Sequence, residues 1–78
     1  MQSSQSTEPL SILVVDDDSA LIRTLADILR LHGYRPATAG TAHEGLAIAA
    51  EHPPALAIID LRLPDMEGTE LAARLHRL

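Results

Sequence analysis

The chain has 78 residues, is 46% hydrophobic and carries a formal net charge of −5 with no cysteine. Disulfides and zinc–thiolate sites are excluded, and the acidic balance argues against nucleic acid or an anionic membrane as the main partner. Such a length holds one domain at most, and one this short buries only about 60% of its unfolded surface, so it is marginal without a metal or a partner.

Residues 1–9, MQSSQSTEP, are polar and lack the apolar stretch of a signal peptide; they are expected to be a flexible tail, with the domain over residues 10–78. No apolar run approaches the roughly 18 residues of a membrane helix, which together with the missing cysteine points to the cytoplasm. Ser11–Val15, SILVV, is a continuous apolar run rich in β-branched residues. Runs of this kind fit strands covered on both faces, as in parallel sheets.

A helical pattern follows, with Leu21, Leu25, Ile28 and His32 on one face, Ile22 and Leu29 widening the stripe, and Arg23, Asp27 and Arg30 opposite. Asp18 or Ser19 supplies its N-cap and Gly33 its left-handed C-terminal residue. The segment YRPATA is expected as an edge strand, because Pro36 cannot donate a ladder hydrogen bond. A second helix opens at TAHE, where Thr41 and Glu44 have capping-box spacing, and stops at HPP. The run ALAII before Asp60 reads as a third buried strand. LRLPDMEG is a loop punctuated by Pro64 and Gly68, and TELAARLHRL is a third helix with Leu71, Leu75 and Leu78 on one face and Glu70 set to pair with Arg74.

The order β-α-β-α-β-α implies a parallel sheet with right-handed crossovers. With the second strand at the edge, the strand order is 2-1-3, and ligands bind beyond the carboxyl ends of such strands, where the chain order reverses. Asp16 and Asp60 stand at those two ends, on strands about 4.8 Å apart. Aspartates after a strand commonly cap the next helix, which accounts for Asp18 and suits Asp17. A lone strand-end aspartate is more often a turn residue than a ligand. Three acids converging from two strands favour a functional cluster instead. A hard cation such as Mg²⁺, which takes carboxylate oxygens, waters and phosphate, would relieve their repulsion. An aspartate beside such an ion suits nucleophilic attack on phosphorus, a reaction governed by positioning and charge neutralisation.

ILVVDDD, followed after two βα units by IIDLRLPDMEG, resembles the receiver domain of two-component response regulators. The acidic pair closing strand one, the pattern D-x-x-L-P-x-M-x-G opening from strand three, and the GY…A..G..A character of the middle carry the likeness. It implies a flavodoxin-like, doubly wound α/β domain with strand order 2-1-3-4-5, of which this chain supplies 2-1-3. It implies that Asp60 accepts a phosphoryl group and that Mg²⁺ is held by Asp16, Asp17, Asp60 and the main-chain carbonyl of Arg62. Asp18 lies outside the family's acidic pair and stays a cap. The implied activity is phosphoacceptance in a phosphorelay, from a histidine kinase or a phosphotransfer protein, by a domain that is not an enzyme in its own right. Direct nucleic-acid binding by this segment and a membrane association are not expected.

The family's hydroxyl residue after strand four, aromatic switch and lysine after strand five have no counterpart here; all six basic residues are arginines. The expected consequences are an unstable monomer, a self-associating chain or a piece of a longer protein, with weak metal binding and slow or absent phosphotransfer in isolation. Strand three would be an exposed apolar edge open to pairing with another chain. Two other readings remain. Asp16 and Asp18 have the D-x-D spacing of haloacid-dehalogenase-like phosphatases, but Ala20 stands where Thr or Val is usual and DLRLPDMEG goes unexplained. The second is a truncated receiver-like interaction module that is not phosphorylated. His32, His43, His52 and His76 show no metal-ligand spacing and read as caps or solvated positions, and Arg62, although beside the site, reads as solvated rather than as a phosphate guide.

Overall fold

The computed structural model describes residues 8–78; residues 1–7 of the expected tail lie outside the described residues. The elements are β1 (Ser11–Val15), α1 (Ser19–Leu31), β2 (Arg35–Ala39), α2 (Ala42–Glu51), β3 (Leu56–Ile59) and α3 (Gly68–His76). All pairing is parallel and the sheet order is β2-β1-β3, which is the order expected from the sequence. Pro36, opposite Ile12, lies on the outer strand β2, where its missing N–H costs no pairing on the free side.

Local chemistry sets the helix ends. Asp18 Oδ1 accepts the Leu21 N–H at 3.1 Å and opens α1; Gly33, at φ +88°, takes the left-handed turn that ends it. Thr41 Oγ1 accepts the Glu44 N–H at 3.1 Å at the start of α2. Glu44 does not return to Thr41, as a full capping box requires. Its carboxylate accepts from the Gly40 N–H at 2.9 Å, one residue earlier. On α3, Glu70 and Arg74 form the expected pair at 2.6 Å, exposed and worth about 0.5 kcal/mol or less.

The main core lies between the sheet and the α2–α3 layer. Leu13 and Val15 of β1, Ala39 of β2, Ala42 and Ala49 of α2 and Leu71 of α3 are buried together. On the opposite face α1 covers Ile12 and Val14 through Ala26, with Ile22, Leu25 and Leu29 half-buried. Two expectations change here. The inward stripe of α1 centres on Ala26, while Leu21, Ile28 and His32 are exposed. A small side chain at the closest approach lets the helix rest on the sheet, and larger neighbours flank it. Second, β3 is covered on one face only. Ala57 and Ile59 turn toward the core, whereas Leu56 and Ile58 are 56% and 39% exposed, because α1 packs over β1 and β2 and does not extend to β3.

Candidate functional site

Two hydrogen bonds carry the ladder one residue past the strands and fix the site. The Asp16 N–H donates to the Ala39 carbonyl at 3.1 Å, and the Asp60 N–H donates to the Val15 carbonyl at 2.9 Å. Since Val15 is in register with both Ala39 and Ile59, Asp16 and Asp60 leave the sheet at the same level. Asp17 is the next residue of the β1–α1 turn. Carboxylate oxygens of Asp16, Asp17 and Asp60 lie within 4.8 Å of one another, with Asp16 and Asp60 half-buried and Asp17 exposed. At that separation each pair of ionised carboxylates repels by about 1 kcal/mol even in a water-like dielectric.

The donors are all carboxylate oxygens, with neither sulfur nor imidazole among them. That set suits a hard divalent cation rather than zinc or copper. Asp16 Oδ1 also accepts the Asp18 N–H at 2.9 Å, which orients its carboxylate and shapes the turn. Asp18, committed to the cap of α1, stands outside the cluster, so the D-x-D spacing does not produce a paired site.

Arg62 lies in the loop between β3 and α3, exposed, and forms an isolated antiparallel bridge with Glu67. Its two hydrogen bonds belong to the flanking residues. The Leu63 N–H donates to the Met66 carbonyl at 3.1 Å and the Gly68 N–H to the Leu61 carbonyl at 2.7 Å. The Arg62 carbonyl takes no part in the bridge. At the loop's far end Gly68 is buried, and a β-carbon there would collide with the Asp60 carbonyl. Only glycine lets α3 begin so close to the end of β3.

One arrangement was not legible in the sequence. Asp65, at the tip of the same loop, accepts the Ala42 N–H with one oxygen and the His43 N–H with the other, both at 2.9 Å, and the His43 Nδ1 closes on the second oxygen. The Asp65 side chain is 23% exposed. The Ala42 N–H, and then the His43 N–H, hold its carboxyl well below the usual carboxylate range. His43, expected as an ordinary solvated residue, is thus paired. Asp65 and Ala42 are 23 positions apart, beyond the reach of local spacing rules. His32 sits where expected, closing α1 with Nδ1 3.0 Å from the Ile28 carbonyl.

Comparison with known proteins places these features in a family. The family model described as the response regulator receiver domain matches residues 12–78. The photosynthetic apparatus regulatory protein RegA of Rhodovulum sulfidophilum is 42% identical over 69 residues, covering 88% of this chain and 38% of that protein. The transcriptional regulatory protein KdpE of Mycobacterium tuberculosis is 44% identical over 65 residues, covering 83% of this chain and 29% of that protein. The chain thus spans about a third of the length of these relatives. Among solved structures, a CheY-like response regulator receiver domain protein from Methanospirillum hungatei superposes with a TM-score of 0.87 at 44% identity, over 90% of this chain and 56% of that one. The signal receiver domain of an HD domain-containing protein from Pseudomonas fluorescens gives 0.86 at 28% identity, over 99% of this chain and 57% of that one.

Proposed function

The chain belongs to the response regulator receiver domains of two-component systems, and from that membership we propose that Asp60 is a phosphoacceptor. The donor is the phosphohistidine of a histidine kinase or of a phosphotransfer protein. A carboxylate oxygen of Asp60 forms the new bond to phosphorus as the phosphorus–nitrogen bond breaks, and the imidazole leaves and takes up a proton. Asp16, Asp17, Asp60 and the Arg62 carbonyl would hold Mg²⁺, which when bound supplies positive charge against the phosphoryl oxygens. Asp16 and Asp17 keep that charge beside the nucleophile, and the β3 ladder keeps Asp60 aimed out of the sheet.

The observation that carries this reading is the convergence of three carboxylates from the ends of two adjacent strands. A cluster of mutually repelling acids is costly to the fold, and the phosphoacceptor role accounts for it. The reading places the domain, over residues 10–78, in the cytoplasm. It has no direct contact with nucleic acid or membrane; among the described residues no helix is long and apolar enough to cross a bilayer. The domain acts as a signalling acceptor rather than as an enzyme with its own turnover.

The test is incubation with a phosphoramidate, a small-molecule mimic of phosphohistidine, in Mg²⁺, followed by intact mass. One added phosphoryl group that Asp60→Asn abolishes and EDTA suppresses supports the proposal. Unmodified protein that still binds a kinase or phosphotransfer protein after Asp60→Ala would establish the unphosphorylated interaction module instead. We further propose that the outer edge of β3, with Leu56 and Ile58 exposed beside it, pairs with the same strand of a second copy. Sedimentation that stays monomeric at all concentrations while the chain is folded would refute that pairing.

A further inference from the structure

The loop from Leu61 to Glu67 joins the proposed nucleophile to α3 and carries the Arg62 carbonyl. It is knotted at its base by the Leu63–Met66 and Gly68–Leu61 hydrogen bonds. Among the described residues, its side-chain hydrogen bonds to the rest of the molecule come from Asp65, which reaches across to the first turn of α2.

That contact completes the capping of α2 from a distant part of the chain, and so also ties the loop to the helix. The start of α2 already has local provision, with Thr41 Oγ1 on the Glu44 N–H and the Glu44 carboxylate on the Gly40 N–H. Asp65 takes the two N–H groups these leave over, one with each oxygen, and the His43 imidazole closes the second oxygen in. Two oxygens held by three donors leave the carboxylate little freedom to rotate or withdraw. Because α2 is itself anchored in the core through Ala42 and Ala49, the clamp ties the loop tip to a rigid element. The loop is therefore held at its base and at its tip.

We infer that Asp65 is a positioning residue, a carboxylate clamp between the β3–α3 loop and α2 that fixes the loop bearing the Arg62 carbonyl. This rests on the phosphoacceptor reading for its purpose, though not for its geometry. Asp65 touches neither phosphate nor metal. It limits the excursions of the segment that follows Asp60, so that an oxygen ligand from that segment is already in place when an ion arrives. Preorganisation of this kind strengthens binding by removing the entropy of ordering the loop.

The test compares Asp65→Ala with Thr41→Ala in the full chain. The second substitution weakens the same end of α2 but leaves the clamp intact. Two quantities are read by amide NMR: exchange at Leu63 and Gly68 without metal, and the Mg²⁺ midpoint from shifts at Asp16, Asp17 and Asp60. Asp65→Ala is expected to speed loop exchange about tenfold and to raise the Mg²⁺ midpoint by about tenfold. Thr41→Ala should leave both near the unsubstituted values. Equal effects of the two substitutions would reduce Asp65 to a helix cap and overturn the inference, as would faster exchange with an unmoved Mg²⁺ midpoint. If Asp65→Ala fails to fold, Asp65→Asn, which keeps the size but one acceptor oxygen, is expected to give an intermediate change in both quantities; no change would overturn the clamp. Absence of any Mg²⁺-dependent shift in the unsubstituted chain would count against the metal site itself, and the clamp is then judged on loop exchange alone.

Discussion

The main-chain carbonyl of Asp60 occupies the space where a side chain on Gly68 would begin. The close approach folds the β3–α3 loop back on itself and lets the Gly68 N–H reach the Leu61 carbonyl at 2.7 Å. Gly68→Ala forces either the loop or the end of β3 to move. It is expected to destabilise the chain by about 2 kcal/mol and to lower phosphoryl acceptance at Asp60 beyond what the lost stability explains. Urea denaturation alongside acceptance at a temperature where the variant is fully folded separates the two. Unchanged acceptance would mean that the proposed phosphoacceptor tolerates displacement of its own carbonyl.

Asp17 gives the cleanest test of the acidic cluster, because it is exposed and, among the described residues, its side chain makes no hydrogen bond that substitution would break. Without metal, Asp17→Asn should raise stability by up to about 2 kcal/mol, less with salt screening, through relief of repulsion from Asp16 and Asp60. With Mg²⁺ the order should reverse. An ion at a hundred times its dissociation constant adds about 2.7 kcal/mol to the unsubstituted chain, and the variant should gain less than half of that. Thermal melts with Mg²⁺ and with EDTA check both limbs, and a variant less stable without metal would remove repulsion from the account.

The Asp65 clamp sets a pH dependence of known sign. Its folded carboxyl lies below the ordinary value, chiefly through the Ala42 N–H and then the His43 N–H. Its contribution is therefore complete above the unfolded value of about 4 and is lost as pH falls through the folded value. His43 of α2 is the titratable group that faces it, so the comparison belongs in a His43→Ala background. There, the urea-midpoint gap between Asp65 and Asp65→Asn should be constant from pH 7 to about 5 and narrow steadily below about 4. A gap that widened on acidification would contradict the clamp.

Leu71 and Leu31 separate core from surface among the leucines. Leu71 is wholly buried under α2 and the sheet, whereas Leu31 is 83% exposed. Leu71→Ala is expected to cost about 2–5 kcal/mol, enough to unfold a marginal domain, and Leu31→Ala less than about 0.5 kcal/mol. Denaturation of the two variants under one condition measures the contrast directly.

What the sequence revealed was what depends on neighbours along the chain. The apolar runs before Asp16 and Asp60, the Asp18 cap, the Gly33 turn and the Glu70–Arg74 pair rest on spacings of a few residues, and all are in the structure. Strand order followed from Pro36 because one missing donor confines a strand to the edge. The centre of the α1 stripe did not follow. Leu21, Ile22, Leu25, Ile28 and Leu29 spread apolar surface around most of the helix, and periodicity alone cannot choose its middle; Ala26, the one fully buried residue of α1, carries no hydrophobic signal of its own. Asp65 was missed for a different reason, since its partners come from a distant turn and an aspartate after Pro64 looks like any loop residue. In the acidic cluster, by contrast, the two strand ends that meet are set by topology, and topology was readable.

The placement of β1 between both other strands has a kinetic side. Neither β2 nor β3 pairs with the other, so every hydrogen bond of the sheet waits on a crossover returning the chain to Ile12–Val15. Until it does, four consecutive apolar, largely β-branched side chains that end almost wholly buried are presented to solvent and to other unfolded molecules. That segment, almost wholly buried in the folded domain, is an aggregation hazard on the way there. The three aspartates that follow it, two of them in the acidic cluster and the third the cap of α1, place charge beside that segment as gatekeepers do.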